Sequence, residues 1–469
     1  MLNAIVICFD TLRRDAVETD LCYTPNLDRF AQRAVTYRNA WAEGLPTIPF
    51  RRAVHTGMRS FPWVHNIGDR GSQPNLLGWH AIPESHTTLS EYLYRQGYAT
   101  GMVTDLWHMF KPTMNFHRGF VSWEFIRGQE GDTAKLSTDS FADPSPHAGG
   151  RVGPASYLYQ VRNRHDDDDY FVSKVFDHAA DWVEANRGNN PSFLWVDSFS
   201  PHEFWDPPLR FADAYAPGEG LPQRIVPQTL NGTDADPREV ARTKALYQGY
   251  VTFCDERLGR FLDRVERSGA TRDTVIMILS DHGTELWDQG RFGKSAARLH
   301  PFNNQINWMV AHPDLSGAHG IDRFVQNQDL APTLLGLLGV PHPQLDGRDV
   351  WPFHPEATDH PERDHVITGW EVHASVRDRE WNLLVDTLAP QRDLRLFDLK
   401  ADPLELRNVA GEHPAVVARG IRRLETLIGP LPAQYVHRPK AFAATVGGLR
   451  QVRRDAARTG ERWRGSNVE

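Results

Sequence analysis

The sequence predicts an α/β fold in which a doubly wound, mostly parallel central sheet is flanked by helices. It also predicts a smaller C-terminal α+β subdomain that carries a short antiparallel sheet. Short apolar runs alternate with amphipathic segments, as in chains built from β-α-β units. The runs are apolar throughout, which is typical of parallel strands covered on both faces. Several of them end in Asp, and ligands of such sheets bind beyond the carboxyl ends of the strands.

The first elements come from the N-terminal part of the chain. The run NAIVICFD, residues 3–10, is predicted as a central strand that ends in Asp10. Apolar spacing and a Thr-Pro start predict a helix over residues 24–42. Residues 87–105 are predicted as a helix, a glycine stop and a second strand. This order already favours a parallel sheet.

Two further helix–strand pairs are predicted over residues 168–200 and 241–283. Their strands end near Asp197 and Asp281, so three acidic residues are expected at the carboxyl edge of the sheet. The stretch HDDDDY, residues 165–170, has the composition of a metal cluster. Four acids directly before a helix favour its positive N-terminal dipole, and we expect a helix start there.

The character of the sequence changes near residue 360. Residues 1–359 are predicted as the catalytic α/β domain. Residues 360–445 are predicted as the smaller subdomain, because short strands with a polar turn precede a helix around residues 414–429. Residues 446–469 are basic, polar and poor in large apolar side chains, so we expect a mobile tail or surface arm.

Composition excludes several functional classes. The net charge is −8 and no basic stripe stands out, which argues against a nucleic-acid partner. No apolar run is long enough for a membrane helix, and the N-terminal run lacks the features of a signal peptide. Three scattered cysteines fit neither a disulfide framework nor a metal site, so we expect a cytoplasmic protein. The oligomeric state stays open, with a homo-oligomer compatible with the sequence.

Three separated segments carry the candidate chemistry. Asp10 ends the first strand, and Asp281 with His282 ends a later one, where a carboxylate and an imidazole on one turn suit a divalent cation. Thr47 lies in the loop LPTIPFRR. A threonine hydroxyl is a poor nucleophile unless a cation stabilises its ionised form, and Arg51 in the same loop is placed to help. Taken alone, a strand-ending Asp or a Thr beside Pro also fits a helix cap or a turn.

These segments together resemble the sulfatase branch of the alkaline phosphatase superfamily, which also holds phosphonate monoester hydrolases and phosphodiesterases. The similarity runs from residue 3 to about residue 411 and rests on TIPFRRAVHTG, SDHGTELWDQGRFGKS and SFSPHEFWDPP. It implies an alkaline phosphatase-like fold and a metal-dependent hydrolase of a small anionic ester. The residues to which it gives roles are Asp10, Thr47, Asp281 and His282 at the metal, and Thr47, Arg51, His108, His202 and Lys294 in catalysis.

Three departures from the family pattern change the expected chemistry. Thr11 replaces the second acid of the common Asp-Asp pair, so the metal loses one carboxylate. Leu106 stands at the family's lysine position, and Lys111 is expected to reach in instead. Thr47 stands where Cys or Ser is oxidised to formylglycine. Its β-methyl group prevents oxidation to an aldehyde, so no formylglycine is expected.

The threonine decides the preferred substrate. An ester of Thr47 has no second hydroxyl on its carbon, so water must attack the central atom, which is feasible at phosphorus and harder at sulfate. We therefore favour a phosphate diester or phosphonate monoester. Alternatives are a sulfatase that works without formylglycine, and a group-transfer enzyme, lyase or inactive homologue on the same scaffold.

The remaining predictions concern the metal and the substrate pocket. The spacing of Asp197 and His202 differs from that of two-metal members, which favours one metal ion. Mn²⁺ or Ca²⁺ is preferred, with Zn²⁺ or Mg²⁺ as alternatives. His108 or His202 is expected to protonate the leaving oxygen. The candidate substrate-binding residues are Lys111, His117, Arg127 and His300.

Overall fold

An eight-stranded sheet runs through the centre of the protein in the computed structural model. The structure describes residues 1–64, 76–110, 113–132, 134, 152–188, 191–232, 234–354 and 361–433. Fifteen strands are found in these residues, and they are β1 (Asn3–Phe9), β2 (Val35–Trp41), β3 (Gly44–Leu45), β4 (Ala99–Thr104), β5 (Ser122–Phe125), β6 (Ser192–Ser198), β7 (Thr274–Ser280), β8 (Glu285–Leu286), β9 (Phe292–Gly293), β10 (Trp308–Ala311), β11 (His319–Gln326), β12 (Val366–Trp370), β13 (His373–Arg377), β14 (Trp381–Asp386) and β15 (Leu394–Asp398).

Helices cover both faces of this sheet. Within the described residues they are α1 (Asp15–Glu18), α2 (Pro25–Ala31), α3 (Thr47–Thr56), α4 (Leu89–Arg95), α5 (Val152–Val161), α6 (Phe171–Ala185), α7 (Leu209–Asp213), α8 (Pro237–Arg267), α9 (Pro301–Asn304), α10 (Leu330–Leu337) and α11 (Pro414–Ile428). None of them is both long and apolar enough to cross a bilayer.

The strand order of the large sheet is β11-β2-β10-β7-β1-β6-β4-β5. All neighbours pair in parallel except β10, which runs antiparallel to both β2 and β7. Alternate residues of β1 enter different apolar layers, because side chains of a strand point to opposite faces. Val6 and Cys8 pack into one layer, and Ile5 and Ile7 pack into the other. The predicted doubly wound, mostly parallel fold is confirmed.

The helix predicted over residues 24–42 is wrong in its second half. Helix α2 ends at Ala31, and residues 35–41 form strand β2 inside the large sheet. Val35 and Tyr37 are buried while Arg38 is exposed, and β-branched and aromatic residues fit this half-buried strand better than a helix. Tertiary pairing with β10 and β11 therefore overrides the helical spacing of the apolar residues.

A five-stranded sheet follows towards the C-terminus, in the order β15-β14-β13-β12-β3. Its strands pair antiparallel except β3, which comes from the N-terminal part and runs parallel to β12. Helix α11 packs on it through Leu424, as the sequence predicts for a small α+β region. The predicted boundary at residues 359 and 360 and the tail at 446–469 lie outside the described residues, so this division stays a prediction.

Candidate active site and metal centre

Three neighbouring strands bring acidic residues to one edge of the large sheet. Strand β1 lies between β6 and β7, and all three run in parallel. Asp197 lies near the end of β6, Asp10 directly follows β1 and Asp281 directly follows β7. All three side chains are fully buried. Their meeting follows from topology, since the carboxyl ends of parallel strands share one edge.

Asp10, Asp281 and His282 form a candidate metal centre. One ligand atom from each lies within 4.8 Å of the others. His282 Nε2 is 3.7 Å from Asp10 Oδ1 and 3.5 Å from Asp281 Oδ2. His282 Nδ1 lies 2.9 Å from the carbonyl oxygen of Gly283, to which it donates. This hydrogen bond leaves the lone pair on Nε2, the nitrogen that faces the two carboxylates.

The donor set fits a divalent cation. His282 Nε2 and Asp10 Oδ2 are buried and make no hydrogen bond to any described residue, although Asp10 is in ionic contact with Arg51. Burial lowers the pKa of His282 to about 4, so its imidazole is neutral and can ligate. Burial and the charge of Asp281 raise the pKa of Asp10 well above its usual range. A cation between two carboxylates would relieve this repulsion.

Arg51 links the acidic residues to α3. Its Nε and Nη2 atoms donate to both oxygens of Asp197, at 2.9 and 2.8 Å, in the two-pronged geometry that arginine forms with carboxylates. Its Nη1 atom donates to Asp281 Oδ2 at 2.6 Å and lies 3.2 Å from Asp10 Oδ2. The same atom is 3.3 Å from the carbonyl oxygen of Thr47. Arg51 is completely buried, and its contacts hold the start of α3 against the strand ends.

Thr47 is the first residue of α3, which is separated from β3 by Pro46 alone. Its φ is +28°, a conformation that costs energy for a β-branched residue and that is found mainly where structure enforces it. The residue is 4% exposed. Its hydroxyl makes no hydrogen bond with the residues that the structure describes. An oxygen in this state is available to a ligand.

Lys294 and Thr11 connect the metal centre to a third acid. Lys294 Nζ donates to Thr11 Oγ1 at 3.1 Å and to Glu203 Oε2 at 2.5 Å. Thr11 in turn donates from its hydroxyl to Asp10 Oδ1 at 2.8 Å and from its backbone to Asp281 Oδ1 at 2.9 Å. Thr11 is thus hydrogen-bonded to both acids of the candidate metal centre. Sequence reasoning missed Glu203, although its position directly after His202 was a usable signal.

Two histidines, His202 and His108, lie on the side of the site that carries Glu203. His202 Nδ1 donates to the carbonyl oxygen of Glu203 at 2.6 Å, and its ring stacks on Phe199 at 4.2 Å between centroids. The ring of His108 is 5.9 Å from Phe199. Because Phe199 contacts both rings, His108 and His202 share one aromatic environment. Burial and the charge of Lys294 lower the pKa of His202, which makes its protonated form a stronger acid.

Glu130 orients His108, a contact that sequence reasoning did not find. Its Oε2 atom is 3.0 Å from His108 Nε2 and accepts a hydrogen bond from Trp107 Nε1 at 2.8 Å. Burial opposes ionisation of Glu130, but the hydrogen bonds from His108 and Trp107 together with the attraction of the nearby histidines outweigh it, and the pKa of Glu130 falls to about 2. Glu130 adopts a positive φ of +47°, as residues held by functional contacts often do.

Three of the predicted substrate-binding residues are described by the structure, and none of their hydrogen bonds, ion pairs or ring contacts is with the candidate metal centre. His300 is buried, and its Nδ1 atom contacts Glu405 Oε2 of the C-terminal region at 2.7 Å. Arg127 donates two hydrogen bonds of 2.6 Å to Asp132. The ring of His117 lies 6.0 Å from that of Trp123. Lys111 lies outside the described residues, so its role and those of the other three stay predictions.

The fold and the candidate centre together define the class of protein, a hydrolase of the alkaline phosphatase superfamily. The chain belongs to the Sulfatase family, because the profile of that family matches residues 3–340. The family and the enzyme class predicted from the sequence are therefore confirmed. Enzymes of this family depend on a metal ion, and Asp10, Asp281 and His282 provide a candidate site for one.

Known proteins similar to this chain have several activities. An arylsulfatase of Clostridium perfringens is 23% identical over 87% of this chain and 90% of its own length. A multifunctional alkaline phosphatase superfamily protein of Trinickia caryophylli is 24% identical over 89% of this chain and 92% of its own. The structure of a phosphonate monoester hydrolase from Silicibacter pomeroyi superposes with a TM-score of 0.70 at 21% identity, covering 91% of this chain and 95% of that one. At these identities the structural similarity establishes the fold.

Proposed function

We propose that this enzyme hydrolyses a phosphate diester or a phosphonate monoester, with the Thr47 hydroxyl as nucleophile. One observation carries the proposal. Among the residues that the structure describes, the Thr47 hydroxyl has no hydrogen-bond partner. Thr47 begins a helix one turn before Arg51, whose guanidinium contacts the carboxylates of both Asp10 and Asp281. An activated alcohol beside a cation site at the edge of a parallel sheet suits attack on a tetrahedral anion. Similarity to a phosphonate monoester hydrolase supports the same substrate class.

Asp10, Asp281 and His282 would hold one divalent cation, with Thr47 as the further ligand predicted from the sequence. When bound, the cation supplies positive charge that favours ionisation of the hydroxyl and polarises the ester. The two carboxylates suit Ca²⁺ or Mg²⁺, whereas the imidazole moves the balance towards Mn²⁺ or Zn²⁺. We favour Mn²⁺ or Ca²⁺, with Zn²⁺ or Mg²⁺ as alternatives.

The first step transfers the phosphoryl or phosphonyl group to Thr47. The bond between Thr47 Oγ1 and phosphorus forms while the bond from phosphorus to the leaving oxygen breaks. The hydroxyl proton passes to water, and His202 or His108 gives a proton to the leaving oxygen. Lys294 and Arg51 supply the positive charge that stabilises the equatorial oxygens in the transition state.

The second step regenerates the enzyme. Water attacks phosphorus, the bond to Thr47 Oγ1 breaks, and this oxygen takes a proton back from solvent water. The histidine that gave up its proton takes one from the attacking water. Elimination of the formylglycine type is closed to Thr47, because its β-carbon carries a methyl group instead of a second hydroxyl. Attack at the central atom is easier at phosphorus than at sulfur, which favours the phosphorus esters.

The Thr47→Ala variant tests this proposal. We expect kcat to fall roughly a thousandfold or more while metal content and the unfolding transition stay close to the wild type. Thr426→Ala, which changes an exposed threonine of α11, is the matched control and should retain activity. Activity near that of the wild type in Thr47→Ala would overturn the nucleophile. Wild-type enzyme should turn over a nitrophenyl phosphate diester or phosphonate monoester faster than nitrophenyl sulfate, and the opposite order would overturn the substrate class.

A further inference from the structure

The basic side chains of the candidate active site are paired with acids. Examples among the described residues are Arg51 with Asp197 at 2.8 Å, Lys294 with Glu203 at 2.5 Å, and His108 with Glu130 at 3.0 Å. A basic group that already has a carboxylate partner attracts an incoming anion less than a free one does. The pairing therefore affects how much negative charge a substrate can bring into the site.

Glu203 is the acid in direct contact with Lys294. Its side chain is 8% exposed, and its Oε1 atom accepts a hydrogen bond from Gln228 Nε2 at 2.9 Å. Lys294 also contacts Thr11, which donates to Asp10. This series of contacts connects Glu203 to the candidate metal centre through two residues. A substrate oxygen bound to Lys294 would thus lie within about 6 Å of the Glu203 carboxylate, since both would contact one ammonium group.

Carboxylates outnumber permanent cations at the site. The described residues contribute the acids Asp10, Asp197, Asp281, Glu130 and Glu203, and the permanent cations Arg51 and Lys294. With these acids ionised, a divalent metal ion would leave the group one negative charge. Leu106 occupies the position where the family pattern has a lysine, and it adds no cation. Nothing in this charge balance favours a second negative charge on the substrate.

We propose that Glu203 is a specificity-determining residue that makes the site select singly charged esters over doubly charged phosphate monoesters. Phosphate diesters, phosphonate monoesters and sulfate monoesters each carry one negative charge. A phosphate monoester carries close to two above its second pKa of about 6. The extra charge would meet the Glu203 carboxylate in a site with little water to screen it. The inference rests on the proposed function only in taking the group bound by Lys294 as the ester anion.

The test compares kcat/KM for two substrates that share the same leaving group, in the wild type and in the Glu203→Gln variant. At pH 8, 4-nitrophenyl phosphate is doubly charged and methyl 4-nitrophenyl phosphate is singly charged. We expect the wild type to prefer the singly charged ester by kcat/KM. We expect the substitution, which removes the charge and keeps the shape, to shift the ratio about tenfold towards the doubly charged ester. Glu91→Gln, which changes a carboxylate paired with Arg118, is the control and should leave the ratio unchanged.

Inhibition by non-hydrolysed anions provides a second readout. Phenylphosphonate is doubly charged at pH 8.5, and methylphenylphosphinate, which has no ester bond to hydrolyse, is singly charged. Glu203→Gln should lower the inhibition constant of the doubly charged inhibitor relative to that of the singly charged one by about tenfold, as expected for the substrates. A ratio that stays within twofold of the wild type in both measurements would overturn the role of Glu203. A wild type that prefers the doubly charged ester would overturn the inference as well.

One measurement on the wild type covers the case in which Glu203→Gln fails to fold. Lowering the pH from 8 towards the second pKa of 4-nitrophenyl phosphate raises the singly charged fraction of that ester and leaves the charge of its methyl ester unchanged. The kcat/KM ratio of the two should rise in favour of 4-nitrophenyl phosphate as the pH falls. Glu203 is faced by Lys294, His202 and Gln228, and titration of His202 affects both substrates, so the ratio isolates the substrate charge. A ratio that stays flat would contradict the inference.

Failure of this inference and failure of the proposed function have different signatures. If nitrophenyl sulfate is the fastest substrate, the phosphorus preference is wrong. The charge test then continues with the sulfate ester as the singly charged member. If Thr47→Ala stays active, the nucleophile is wrong, and the substrate ratio in Glu203→Gln still reports on charge selection.

Discussion

Glu130 shows how single residues prepare this site. Its carboxylate contacts ring nitrogens of both Trp107 and His108 through one oxygen. The hydrogen bond at His108 Nε2 fixes the tautomer and the ring orientation, as the acid does in catalytic triads. His108 Nδ1 is buried and has no hydrogen-bond partner among the described residues. Glu130 therefore acts as a positioning residue for a group proposed to transfer protons.

The Glu130→Gln variant measures this role. The amide keeps the size of the side chain but weakens its hold on His108, so we expect kcat to fall about tenfold to a hundredfold. KM should change by less than about threefold, since the residue is not proposed to bind the ester. Glu124→Gln alters an exposed glutamate that pairs with His178 and is the control. Equal losses in both variants would argue against a positioning role.

At the scale of elements, the turn after β7 holds the metal ligands. Gly283 follows His282, and a Cβ atom at that position would lie 2.2 Å from the carbonyl oxygen of Phe302 in α9. The backbone of Gly283 also donates to the carbonyl oxygen of Asn303 and accepts from His282 Nδ1. The absence of a side chain lets the turn pack against α9, which fixes the direction of the imidazole.

The Gly283→Ala variant should therefore disturb both packing and metal binding. The added methyl group must displace backbone, so we expect the free energy of unfolding to fall by about 1 to 3 kcal/mol. The affinity for Mn²⁺, measured by calorimetry, should fall at least about tenfold because His282 turns with its neighbour. Gly411→Ala is the control, since a Cβ atom there meets nothing within 4 Å. Wild-type metal affinity in Gly283→Ala would contradict this account.

At the scale of the whole molecule, one buried acid joins the C-terminal sheet to the large sheet's loops. Glu405 contacts His300 Nδ1 and Asn382 Nδ2, each at 2.7 Å, and it also pairs with Arg377. Gln289, in the turn between β8 and β9, donates to the carbonyl oxygen of Glu405 at 3.4 Å. Lys294 directly follows β9. The C-terminal region therefore supports the segment that carries an active-site cation.

The Glu405→Ala variant should weaken this junction. It leaves the buried Arg377 without its carboxylate, and losing one partner of a buried pair costs about 3 to 5 kcal/mol. Denaturant unfolding should show this loss, and kcat/KM should fall as the Lys294 segment loosens. Glu412→Ala removes an exposed acid paired with Arg407 and should change the free energy of unfolding by less than about 0.5 kcal/mol. A similar small change in Glu405→Ala would show that the junction is dispensable.

Much of the fold was predictable because local and global signals agree. Apolar runs that end in Asp predicted β1, β6 and β7 correctly, and a glycine stop marked the end of the helix before β4. Residues 35–41 were predicted wrongly, because the spacing of their apolar residues fits the repeat of a helix as well as that of a strand. Only the pairing of this segment with β10 and β11 decides in favour of the strand. The resemblance of the sequence to the sulfatase branch also predicted that Asp10, Asp281 and His282 would lie together, which they do.

By itself, the sequence determined the family, the parallel sheet and the three candidate metal ligands. These follow from residue order, because parallel strands deliver their ends to one edge. Only the tertiary structure decided which acids pair with the basic groups. The partners in these pairs are between 22 and 105 positions apart in the chain. The pairs are Glu203 with Lys294, Glu130 with His108, and Glu405 with His300. Ion pairing depends on distance in space, and no local pattern in a chain encodes that distance.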